Sequence, residues 1–74
     1  MEDFRIFLIR DHLGKYTART QMPPGGAPAG NLILPISGRA MPPLPPAEMT
    51  YRDVLAWMIE LIDAGYKVKT LHPF

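Results

Sequence analysis

There is no cysteine in this chain, so no disulfide framework braces it, and the thiolates that hold most structural zinc ions are missing. Histidine is nearly as scarce: with only His12 and His72 present, a structural zinc site is not expected. Neither sign of charge dominates. Eight Lys and Arg stand against seven Asp and Glu, and a net charge of +1 gives no whole-molecule field that would recruit nucleic acid or anionic lipid. The apolar run nearest the start, Ile6 to Ile9, follows two acidic residues and is too short for a signal-peptide core or a membrane span. A cytoplasmic protein with no membrane contact is the resulting expectation. No nucleophile elbow, no phosphate-cradling glycine loop and no metal-ligand spacing is visible, so neither an enzyme nor a cofactor is expected. No internal repeat is visible either.

What is present fits one small domain spanning residues 1–74, a size at which a single core supplies only about 3–5 kcal/mol of net stability. The chain is organised around Met49 to Gly65. Thr50 and Asp53 have the spacing of a capping box, and Met49 and Val54 that of a hydrophobic staple. Gly65 sits where a left-handed C′ residue ends a helix, and Lys67 follows with charge suited to the C-terminal dipole. At about 100° per residue, Tyr51, Val54, Leu55, Met58, Leu61 and Ile62 share one side, opposite Arg52, Asp53, Glu60 and Asp63. Trp57 and Ile59 lie at the two margins and widen the apolar arc to roughly 200°, about twice what one packing surface requires. Either a proline-rich segment covers a margin, or Trp57 or Ile59 faces a partner.

Before this helix, Asp3 to Arg10 reads as a strand with Phe4, Ile6 and Leu8 on one face and Arg5, Phe7 and Ile9 on the other. Two largely apolar faces predict an interior strand covered, at least in part, on both. Asp11 to Gly14 supplies a turn, and Lys15 to Met22 alternates as a strand with one dry and one wet face. From Pro23 the composition shifts, with eight of the nine prolines and four of the six glycines between Pro23 and Pro46, a Pro/Gly-rich insertion over residues 23–49. Its first part has polyproline II bias around Gly25 and Gly26. Asn31 to Ile36 is apolar enough to be buried, and Pro35 restricts it to an edge strand or an extended segment on the core. After the helix, Tyr66 to Leu71 alternates as a last strand that Pro73 ends. The expected fold is α+β, ordered β-β-extended segment-α-β. A small mixed or antiparallel sheet carries the helix on one face, and the last strand is parallel to the first if it enters beside it.

The function expected is a non-enzymatic protein-interaction module or small accessory or inhibitory protein. By analogy of size alone, it is of the kind phages and mobile elements carry, acting as a homodimer or on a partner protein. The expected contact residues are Trp57, Ile59 and the proline tract of Arg39, Met41, Pro42, Pro43, Leu44 and Pro45. The string from Arg39 to Pro45 matches the basic PxxP form read by SH3-type grooves, and Pro42 to Pro45 resembles a WW ligand. Alternatively, the same tract straps the helix core. A rival class is a small nucleic-acid binder using Arg5, Arg19, Lys67 and Lys69 on a sheet face with Phe7 and Ile9 among them. Asp11 beside His12, and the carboxylates of the helix, read as turn and solvated-face residues rather than acid–base pairs.

Overall fold

A computed structural model describes residues 1–25 and 29–74 of the chain. Glu2–Arg10 forms β1 and Tyr16–Arg19 forms β2, joined by the expected turn. The Asp11 carboxylate accepts from the amides of Leu13 and Lys15, both at 2.9 Å, and Gly14 takes φ +80. That Asx turn sets the register in which Leu8 faces Ala18 and Arg10 faces Tyr16. Leu32–Gly38 forms β3, Tyr51–Asp63 forms α1, and the chain ends in two short strands, β4 (Lys67–Val68) and β5 (His72–Pro73). The polyproline bias expected around Gly25 and Gly26 falls partly outside the described residues.

All described pairings are antiparallel, with order β2-β1-β3-β4 and β5 beside β3. The condition for a parallel last strand is thereby not met, and one expectation about the sheet is corrected. The last strand lies antiparallel beside β3, not parallel beside β1. And Pro35 sits in an interior strand rather than at an edge, which its backbone geometry explains. Its carbonyl accepts from the amide of Lys69, at 2.9 Å, so the position of its missing N–H also points toward the terminal strand. There the partner strand is broken: Ile36 faces Val68 whereas Leu32 faces Pro73, a register one residue longer on the terminal side. This bulge over residues 69–71 spans the place where proline offers no donor and splits one edge strand into β4 and β5. Pro73, expected to end the strand, is inside β5. The Phe74 amide donates to the Asn31 carbonyl, so the donor-less position of Pro73 points out of the open edge.

The even-numbered residues of β1 and their partners make the dry face. Ile6, Leu8, Leu34 and Ile36 are buried completely or almost so, with Tyr16 and Ala18 beside them; each of the four large aliphatics contributes about 1.5–3 kcal/mol by leaving water. Over this face lies α1. Its capping box is formed as expected, with Asp53 N–H donating to Thr50 Oγ1 at 3.2 Å and Thr50 N–H donating to an Asp53 carboxylate oxygen at 3.1 Å. At the other end Gly65 takes φ +99, its N–H donates to Ile62 O and Tyr66 N–H donates to Leu61 O, the two bonds of a Schellman motif. Met49 exchanges both backbone hydrogen bonds with Tyr16, which fastens the helix entrance to β2.

Candidate interaction surface

The helix is rolled away from the orientation expected of it. Val54, Trp57 and Leu61 enter the core, Trp57 at 9% exposure, whereas Tyr51, Leu55, Ile59 and Ile62 remain 51%, 39%, 61% and 54% exposed. The side expected to pack is thus split, and the margin that carries the indole is the buried one. Burying one indole removes more apolar area from water than any single aliphatic side chain in the helix can. Met41 and Leu44 pack against the same core, and Pro42 is buried. Trp57 is therefore withdrawn from any partner, while Ile59 is open to one.

What the roll leaves outside is continuous. Tyr51, Leu55 and Ile62 recur at intervals of four and seven residues, with the half-buried Met58 between the last two, so they form one row along the helix. They make one wall of a shallow groove of about 330 Å³ whose other wall is Val68 to Leu71 of the bulged edge strand. Ile59 extends the row on the side away from the groove, next to Arg52 and Asp63, both exposed. Tyr51, Leu55 and Ile62 were missed in the sequence because a periodic pattern gives the width of an apolar arc but not its rotation about the helix axis.

The proline tract is divided. Arg39 and Pro43 are exposed, Met41, Leu44 and Pro45 half-buried, and Pro42 buried. Pro42 is the first proline of the PxxP string, so a groove reading that string would first have to lift it off the core. The arrangement is that of a strap.

The other face of the sheet carries no helix. Phe7 faces Arg19 on one side and Ile33 on the other, Arg5 faces Pro35, and Ser37 lies between Asp3 and Lys67, so these odd-numbered residues share a surface. Arg5, Arg19, Lys67 and Lys69 are all exposed. Phe74 returns onto this face, its ring meeting Phe7 edge-on with centroids 5.6 Å apart and planes at 78°. The cover expected over Phe7 is therefore one terminal aromatic, and Phe7, Ile9 and Ile33 stay half-exposed. Phe74 was not singled out in the sequence, since it follows the proline expected to end the strand, and His72, which faces Ile33, was considered there only as a zinc ligand. The single described carboxylate there, Asp3, accepts from Ser37 Oγ at 2.6 Å; that bond, with help from the charge of Lys69, holds it below the ordinary range.

Asp11 is held below the usual carboxylate range, chiefly by the Lys15 amide, and His12 beside it is exposed. Among the described residues no cluster of three or more His, Cys, Asp or Glu is placed to hold a metal ion, and no helix is long and apolar enough to cross a membrane.

No protein-family model matches this chain, and no match is found among curated proteins or solved structures. The functional reading accordingly rests on the geometry described above.

Proposed function

We propose that this chain is a non-enzymatic protein-binding module whose contact surface is the outer row of α1: Tyr51, Leu55, Ile59 and Ile62. The supporting observation is the roll of the helix, which leaves four large apolar side chains exposed on one continuous row in a chain with little apolar surface to spare. From their exposures they present on the order of 400 Å² of side chain, the size of the largest apolar patch on a typical monomer, which is often a functional one. The proline tract serves as scaffold through Met41, Pro42 and Leu44, and Ile59 is the residue of the expected contact set that lies on this row. The test is affinity capture from the native host with wild-type protein, a Leu55→Glu/Ile59→Lys variant and an Arg5→Glu/Arg19→Glu variant. A specific partner, a second copy of the chain included, should be lost with the first variant and kept with the second. Equal recovery by wild type and the helix variant would refute the reading.

A second reading is favoured by one observation of its own. Arg5, Arg19 and Lys67 share an uncovered sheet face with Phe7 and Phe74, an arrangement of cations and aromatic edges suited to single-stranded nucleic acid. Titration with a short single-stranded oligonucleotide at two salt concentrations tests it. Salt-sensitive binding abolished by Arg5→Glu/Arg19→Glu supports nucleic-acid binding, and salt-independent or absent binding removes it.

A further inference from the structure

We infer that the occupant of the α1 row is a second copy of this chain, packed antiparallel about a two-fold axis; this rests on the protein-binding reading above and names its partner. The margin of the row beyond Ile59 carries one cation near the helix start, Arg52, and one anion near its end, Asp63, both exposed. In an antiparallel symmetric pair each margin meets its own counterpart, so Arg52 of one copy lies beside Asp63 of the other, and the same contact recurs at the opposite end. A parallel pair would set this margin against the groove wall, whose one charged residue is Lys69, so Arg52 would find no anion there.

The apolar residues obey the same symmetry. Arg52 with Asp63, Tyr51 with Ile62, and Leu55 with Ile59 are pairs whose midpoints all fall between positions 56 and 58 of the helix. One axis crossing α1 near Trp57 therefore satisfies all three pairs at once, Tyr51 packing on Ile62 of the partner copy and Leu55 on its Ile59. None of these side chains enters the core, so all of them are free to meet a second copy. The row supplies about half of the 800 Å² or so per partner that a standard interface buries, and the flanking residues supply a rim.

Sedimentation equilibrium on the full chain tests this. Wild-type protein should associate reversibly, and Ile59→Lys should sediment as a monomer. The decisive set is Arg52→Asp, Asp63→Arg and the double variant. Each single reversal sets like charges together at both ends and should weaken association about ten-fold, whereas the double variant re-pairs them and should return to near the wild-type value. Both reversals favour the helix dipole, an acid in the first turn and a base in the last, so weaker association cannot arise from a damaged helix. Circular dichroism of each variant verifies this. A wild type that stays monomeric at high micromolar concentration overturns the proposal, as does a double variant no better than the singles. The broader reading fails on a different result, a helix variant that captures the same host proteins as wild type.

Discussion

Replacing Gly38 by Ala tests how the terminal strand is locked to the sheet. Gly38 is buried at the end of β3 with no positive φ, so an alanine there suits the backbone and would by itself stabilise by about 0.4–1 kcal/mol through the unfolded chain. The added Cβ, however, would lie well inside contact distance of Tyr66 Cδ1 and Cε1. Tyr66 follows the Schellman glycine and leads into β4, so its ring has little freedom to retreat. Overpacking of this kind costs about 1–3 kcal/mol, which exceeds the backbone gain. The variant should lose about 1–2 kcal/mol net, lowering Tm by roughly 4–8 °C per kcal/mol in a domain of this size. Thermal unfolding followed by the fluorescence of Trp57, the single tryptophan and a buried one, measures it. In a Tyr66→Ala background the same substitution should be neutral or slightly stabilising. An equal loss in both backgrounds would show that the ring is not the cause and refute the reasoning.

Three further outcomes are expected. Val54→Ala, at a fully buried site, should cost about 1–3 kcal/mol in urea unfolding while Ile59→Ala costs under about 0.5 kcal/mol in dilute monomeric protein; similar losses at the two sites would contradict the roll of α1. Asn31→Ala should cost about 1–3 kcal/mol by the same assay, because the Asn31 side-chain oxygen is the acceptor of the Arg10 amide at 2.6 Å in a buried site, and an unchanged midpoint would show that amide satisfied elsewhere. The folded-state pKa of Asp3 and Asp11 lies below the ordinary 3.8, so the stability they lend is fully present above that value and is lost as pH falls through the lowered pKa; the gap between wild type and Asp11→Asn should close on acidification, and a gap that stays constant throughout the acid limb would contradict the turn's dependence on charge.

Local signals were the legible part of this fold. The cap at Thr50 and Asp53, the stop at Gly65 and the clasp at Asp11 are built from residues within a few positions of one another, and each forms as its spacing demands. Long-range choices were not legible. Pro35 excludes a donor from its own strand, yet whether that gap faces solvent or a bulge depends on a strand more than thirty residues away. The candidate surface follows the same division: Ile59 was visible as surplus, but Tyr51, Leu55 and Ile62 were assigned to the core because the arc has no mark showing where the sheet will touch it. Phe74 was illegible for a similar reason, as its position beside Phe7 depends on the bulge that carries the chain end back along β3.

The most direct test of the central claim, that a second copy of this chain packs on the outer row of α1, is a dilution series of isotopically labelled protein from millimolar to micromolar concentration, followed by backbone amide shifts. The structure predicts concentration-dependent shifts confined to the row from Tyr51 to Asp63 and the facing residues 68–71, vanishing in Ile59→Lys. Shifts that spare the helix, or that gather instead around Phe7 and Arg19, would contradict it.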